Sequence, residues 1–160
     1  MSGTLGPCCV LAEYPNEIAI VTQNIDNLFE KAGLKENQLI HLHGFLPELR
    51  CENCGAIFNI QYNLTSQYNG GKCSDCKGRL RPNIVFFGEQ APQYEAFNKE
   101  LLDCEIFVVI GTSGNVIGVN HVASAVDMAI LNNLEPSDVI EEQFFTKVIY
   151  DKASVAIDVI

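Results

Sequence analysis

The sequence predicts an α/β fold: an open, mainly parallel sheet into which a small cysteine-bearing subdomain is inserted. Three observations predict it. Short apolar runs rich in β-branched residues at 18–22, 84–87, 105–110, 129–131 and 148–150 each deliver polar residues at their carboxyl end, as strands buried on both faces do. Helical patterns alternate with several of these runs. From residue 46 to residue 81 the texture changes to polar residues, glycine and cysteine, too poor in apolar side chains for a large core.

Residues 1–12 show no periodicity, and Gly3, Gly6 and Pro7 interrupt any element there. The run Ile18-Ala19-Ile20-Val21-Thr22 predicts a first buried strand that delivers Gln23-Asn24-Ile25-Asp26. Asp26 is placed to cap a helix through Leu28, Phe29 and Ala32 that stops at Gly33. A short apolar segment at 39–42 leads to His43-Gly44. After the subdomain come a strand at 84–87 closed by Gly88-Glu89, and a helix at 94–102 with Phe97 and Leu101 on one side. The run 105–110 is the plainest buried strand, entering Gly111-Thr112-Ser113-Gly114. A helix at 121–128 precedes the strand at 129–131, which leads to Asn132-Asn133-Leu134-Glu135. The strand at 148–150 leads to Asp151-Lys152-Ala153.

Cys51 and Cys54 form one C-x2-C pair and Cys73 and Cys76 a second, at the spacing of a tetrahedral four-thiolate zinc site. Gly55 and Gly78 follow the pairs where a tight turn needs a permissive backbone. Arg50, Lys72, Lys77 and Arg79 are expected around the sulfurs, offsetting their charge. Two disulfides or four free thiols are the alternatives. Four thiolates leave no open coordination position, so one structural ion is expected, standing in for the missing core.

At 160 residues and 48% hydrophobic content the chain suits one packed domain spanning 1–160. A net charge of -10 disfavours nucleic acid and anionic membrane as partners and favours a basic polypeptide. Seven cysteines without a secretory signal, and no apolar run of membrane-spanning length, predict a soluble cytoplasmic protein. Cys8, Cys9 and Cys104 read as small buried hydrophobes. The strand ends suit a nucleotide, yet neither a G-x-G-x-x-G nor a phosphate-cradling lysine loop is present. Taken alone, Gly111 to Gly114 signals either phosphate binding or close packing, and Gln23 to Asp26 either a site or a turn and a cap.

Taken in order, Thr22-Gln23-Asn24-Ile25-Asp26, Leu42-His43-Gly44, the two cysteine pairs, Arg81-Pro82-Asn83-Ile84-Val85-Phe86-Phe87-Gly88-Glu89, Gly111-Thr112-Ser113, Asn133-Leu134-Glu135 and Lys152-Ala153 resemble the sirtuins, NAD-dependent protein lysine deacylases. The resemblance runs over residues 18–160 and implies a Rossmann-like sheet with an inserted zinc ribbon at 46–81. It implies transfer of an acyl group from lysine to the ADP-ribose of NAD with release of nicotinamide. His43 would be the catalytic base on a ribose hydroxyl, a task suited to a side chain titrating near working pH. Gln23, Asn24, Ile25 and Asp26 would line the nicotinamide and ribose end of the cofactor site. Gly111, Thr112 and Ser113 would meet phosphates and ribose, and Asn133, Leu134, Glu135 and Ala153 the adenosine half. Val85, Phe87 and Gly88 would pair with an extended acyl-lysine peptide by strand addition. Cys51, Cys54, Cys73 and Cys76 would hold the zinc; His41 would be solvated or structural, and His121 uninvolved.

The family's opening strand with Gly-Ala-Gly-x-Ser and its Ile-Pro-x-Phe-Arg loop have no counterpart, and Asp151 stands where glycine is common. The sheet is therefore expected to be incomplete at its amino-terminal part. A sheet lacking an inner strand exposes apolar faces and unpaired backbone groups at about 1–3 kcal/mol per buried group, and leaves an edge open to association. Two non-enzymatic readings stand beside the deacylase: a zinc-containing remnant that binds acyl-lysine peptide or a partner, and a bare zinc-ribbon module. The apolar strands beyond residue 84 would be superfluous to the last.

Overall fold

The computed structural model describes Tyr14, residues 16–86 and residues 88–160. Cys8, Cys9 and Phe87 lie outside the described residues. The chain forms two compact units, one of residues 14–99 and one that includes residues 100–160.

In the first unit, β1 (Ile20–Thr22) pairs in parallel with β2 (Leu39–His41), with Thr22 opposite His41. Between them lies α1 (Leu28–Lys31), one short turn of helix. The N-cap falls one residue later than expected, at Asn27, which makes no side-chain cap bond; Asp26 instead closes the turn before the helix, its Oδ1 accepting the Leu28 N–H at 2.9 Å. Gly33 ends it with φ +103°.

The inserted subdomain is antiparallel. The eight-residue β3 (Gly44–Cys51) pairs with β4 (Ile57–Asn59) on one side and β5 (Leu80–Ile84) on the other. Leu49, Cys51, Ile60, Cys73 and Leu80 form its small core, with Phe58 and Tyr68 stacked against it, ring centroids 5.3 Å apart. The strand expected at 84–87 is displaced: it begins at Leu80 and ends at Ile84. Pro82, which donates no hydrogen bond, is tolerated because β5 is the edge of this sheet and faces an irregularity in β3 between Phe45 and Leu49. α2 (Tyr94–Glu100) follows and buries Phe97; the expected last residues, Leu101 and Leu102, belong to a 3₁₀ turn instead.

The second unit is a parallel sheet in the order β6 (Ile106–Ile110), β7 (Met128–Asn133), β8 (Lys147–Tyr150). The helix expected at 121–128 is shorter and earlier, α3 (Val119–Ala123), because Met128 is drawn into β7 by pairing with Ile106. α4 (Ala153–Ala156) follows β8. β7 is the buried centre, with Ala129, Ile130, Leu131 and both asparagines at its end all buried. β6 is not buried on both faces as its composition predicts. Among the described residues it is an edge strand, with Ile106, Val108 and Ile110 exposed. Cys104 is half-buried, and burial pushes its thiol up. Among the described residues no helix is long and apolar enough to cross a membrane.

Candidate functional site

The cysteine cluster is built by two similar turns. Gly55 donates its N–H to the Cys51 carbonyl at 3.0 Å, and Lys77, at the equivalent place, donates to Cys73 at 3.1 Å. Both take a left-handed φ, +74° at Gly55 and +63° at Lys77. The permissive backbone expected at Gly78 is therefore needed one residue earlier, and Gly78 serves close approach instead. A Cβ there would lie 2.8 Å from Asn53 Cβ and 3.0 Å from Cys51 Sγ. None of the four cysteines is in a disulfide. A tetrahedral zinc with bonds of about 2.3 Å requires sulfurs about 3.8 Å apart. Cys51 and Cys76 Sγ are 3.4 Å apart, Cys54 and Cys73 Sγ 3.7 Å, and all four lie within 4.8 Å of one another. The donor set and its geometry fit one zinc with no open position, so the ion would hold the ribbon together and take no part in bond making. The cationic shell is thinner than expected. Strand alternation turns Cys51 into the ribbon core and Arg50 to the opposite face, while Arg79 is exposed and 3.8 Å from Glu52.

The second cluster surrounds the turn after β1. His43 Nδ1 is 3.1 Å from the Gln23 carbonyl, and His41 Nδ1 is 3.2 Å from the next carbonyl, Asn24. A carbonyl only accepts, so each Nδ1 carries a proton, and the Nε2 of His43 is then available to take one. His41 spends its Nε2 on Glu30 Oε1 at 2.7 Å and stacks on Phe45, ring centroids 4.4 Å apart. It is structural and half-buried, a pin between β2, α1 and β3. The other oxygen of Glu30 is buried without a hydrogen bond. Four further bonds set the turn: Asn24 N–H to Thr22 Oγ1 at 3.1 Å, Leu46 N–H to the Ile25 carbonyl at 2.8 Å, and the reciprocal pair of Asn27 and Tyr62 Oη. Gln23 and Ile25 are half-buried there and Asn24 is exposed.

Directly after His43, Gly44 is buried with φ +84°, and a Cβ on it would lie 2.1 Å from the Asn83 carbonyl oxygen. Only glycine lets β3 and β5 approach so closely beside the imidazole. Val85 donates its N–H to the His43 carbonyl at 2.9 Å. Gly88 is exposed with φ +85°. Arg81 organises this segment. Its two terminal nitrogens grip Glu89 at 2.5 and 2.9 Å, one also donates to the Ile84 carbonyl at 2.9 Å, and the guanidinium lies 4.3 Å over the Phe86 ring. Glu89 also accepts the Phe86 N–H at 3.0 Å. The hydrogen bonds from Arg81 and from Phe86 hold its carboxyl down at about 2. A cleft of about 360 Å³ opens here, walled by Gly44, Asn83, Ile84, Val85 and Glu89.

In the second unit the strand ends converge as expected, through two buried asparagines. Asn133 donates Nδ2 to the Thr112 carbonyl at 2.8 Å and accepts the Thr112 N–H at 3.0 Å, fixing Gly111, Thr112 and Ser113 beside it. Asn132, which sequence reasoning passed over, donates to the Ile149 and Asp151 carbonyls at 3.1 and 2.9 Å and fixes the turn before Ala153. A polar residue at the end of an apolar strand was the available signal. Leu134 and Glu135 are exposed, as is Ala153 at the start of α4.

An inserted ribbon with four clustered sulfurs in one unit and a parallel sheet with polar strand ends in the other define an α/β protein with an inserted metal-ribbon subdomain. The chain matches the Sir2 family over residues 10–118 and belongs to it. It is 43% identical over 147 residues to an NAD-dependent protein deacylase of Campylobacter jejuni, covering 91% of this chain and 60% of that protein. A protein of the same description in Helicobacter hepaticus is 37% identical over 153 residues, covering 89% of this chain and 58% of that one. Among solved structures, Sir2 bound to acetylated peptide superposes with a TM-score of 0.73 at 25% identity, over 92% of this chain and 64% of that one. A Sir2 with p53 peptide and NAD+ gives 0.72 at 26%, over 92% and 63%. The chain thus spans about 60% of the length of the curated relatives it matches.

Proposed function

We propose that the chain carries the base, the peptide cleft and the zinc ribbon of an NAD-dependent protein lysine deacylase, working on acylated lysines of proteins in a reducing compartment. The observation that carries this reading is the imidazole of His43, pinned through Nδ1 to the Gln23 carbonyl with Nε2 left as proton acceptor, on the residue that precedes Gly44 of the cleft wall and whose carbonyl holds Val85. NAD supplies, when bound, the ribosyl carbon that accepts the acyl oxygen as nicotinamide leaves. His43 would act at Nε2 as the acceptor for a ribose hydroxyl proton, and its Nδ1–H bond to Gln23 would keep the ring oriented for that task. The turn Gln23 to Asp26 lines the nicotinamide end, and Val85 and Gly88 hold the peptide as an added strand, with Phe87 between them in sequence. Gly111, Thr112 and Ser113, held by Asn133, take phosphate and ribose, and Leu134, Glu135 and Ala153 face the adenosine half.

Calorimetric titration of NAD into the zinc-loaded chain with an acetyl-lysine peptide present tests this, with His43→Ala alongside. Saturable NAD binding with nicotinamide release by the parent chain alone is the expected result. A folded, zinc-loaded chain that binds no NAD would overturn it in favour of a peptide-binding role without NAD chemistry.

A further inference from the structure

Arg50 on β3 stands directly across from Arg81 on β5, a like-charge pair that a sheet tolerates only with a carboxylate at hand. Glu89 supplies one, but unequally: both its oxygens bond Arg81, and one of them also takes the Phe86 N–H. Arg50 acts on Glu89 only at longer range, as the smallest of the causes that hold that carboxyl down. The other carboxylates nearby are occupied too. Glu48, two residues earlier on β3, accepts from Asn83 Nδ2 at 2.8 Å, and Glu52 faces Arg79 at 3.8 Å. Among the described residues the guanidinium of Arg50 has no hydrogen-bond or ion-pair partner, yet it is half-buried and forms part of the wall of the 360 Å³ cleft. Five fixed donors withdrawn in part from water without an acceptor cost stability, and their planar fork matches a carboxylate. In a chain of net charge -10 this is a local cationic point facing an open cleft.

We propose that Arg50 is a carboxylate subsite of the peptide cleft and selects polypeptides carrying Asp or Glu close to the acylated lysine. This rests on the reading that an extended peptide lies along Val85 and Gly88. Alternate residues of such a strand point to the same side, about 7 Å apart, so an acidic side chain within about two positions of the acyl-lysine reaches the cleft wall.

The test is fluorescence anisotropy of labelled acetyl-lysine peptides, with Glu or Gln placed in turn at each of those positions. Zinc-loaded parent chain, Arg50→Gln and Arg50→Lys are compared. At one position the parent chain is expected to bind the Glu peptide roughly tenfold more tightly than the Gln peptide, as a charge-assisted hydrogen bond implies. Arg50→Gln brings that ratio close to one, and Arg50→Lys, a point charge without the fork, retains part of it. Equal binding of Glu and Gln peptides by the parent chain overturns the subsite alone, as does a preference that survives in Arg50→Gln. Failure of a folded, zinc-loaded chain to bind any of the peptides overturns the peptide cleft and the subsite together.

Discussion

Replacing Gly44 with alanine tests the link between the strand geometry and the base. The added Cβ would sit 2.1 Å from the Asn83 carbonyl oxygen and 2.8 Å from Ile84 Cα, where ordinary contact begins at 3.4 Å. Both are backbone atoms, so no side-chain rotation relieves the overlap, and β3 and β5 must part where Gly44 pairs with Ile84. A Cβ-bearing residue at φ +84° costs about 1–2 kcal/mol for the backbone conformation. Forcing extra volume into a packed site adds about 1–3 kcal/mol. Gly33→Ala is the internal control: φ is +103° there too, but nothing lies within 4 Å of the added carbon. Urea denaturation of zinc-loaded proteins followed by circular dichroism should show Gly33→Ala losing about 1–2 kcal/mol and Gly44→Ala about 2–5 kcal/mol. Because His43 precedes the displaced residue and its carbonyl holds Val85, nicotinamide release by Gly44→Ala should fall even where the protein stays folded. A Gly44→Ala protein no less stable than Gly33→Ala, with the imidazole still active, would refute the close-approach reasoning.

Two further outcomes follow from the hydrogen bonds. Glu89 is held at about 2, below its unfolded value of about 4.3, so its contribution to stability is present above the unfolded pKa and is lost as pH falls toward 2. Denaturation curves of parent and Glu89→Gln should therefore differ by a constant amount above about pH 5 and converge between about pH 4.5 and 2; a gap that persists at pH 2 would show that the Arg81 clamp is not electrostatic. Asn133→Ala removes the buried amide that bonds both the Thr112 N–H and its carbonyl and should cost about 1–3 kcal/mol. Hydrogen exchange at Thr112 should rise with it, and unchanged exchange there would show that Asn133 does not hold the loop.

What could be read in the sequence was whatever a residue's near neighbours determine. The cysteine pairs were legible because ligand spacing within each turn is fixed by local backbone, and β7 because a run of buried residues has few other uses. β5 was not legible in place: Leu80-Arg81-Pro82-Asn83-Ile84 looks like a turn until β3 lies beside it, whereas Val85 and Phe86 look like a strand and are held as a loop by Arg81 and Glu89. The partners of His41 and His43 were equally invisible, since both rings bind backbone carbonyls, which carry no sequence signature. Arg50 was assigned to the sulfurs by proximity in the chain, and strand alternation sends it the other way. The exposed face of β6 shows the same limit, because an apolar run states that a strand seeks cover but not whether cover is found.

Anchoring two imidazoles to two consecutive main-chain oxygens separates orientation from composition. The carbonyls of Gln23 and Asn24 stay where they are whatever side chains those positions bear. The side chains at residues 23 and 24 are thereby free to be rewritten, by evolution or by engineering, without shifting the carbonyls that hold the two rings. Under the cofactor role proposed for this turn, exchanging residues 23 and 24 alone would alter the preference for the pyridine ring, whereas any change of φ or ψ in the turn would disturb both rings together.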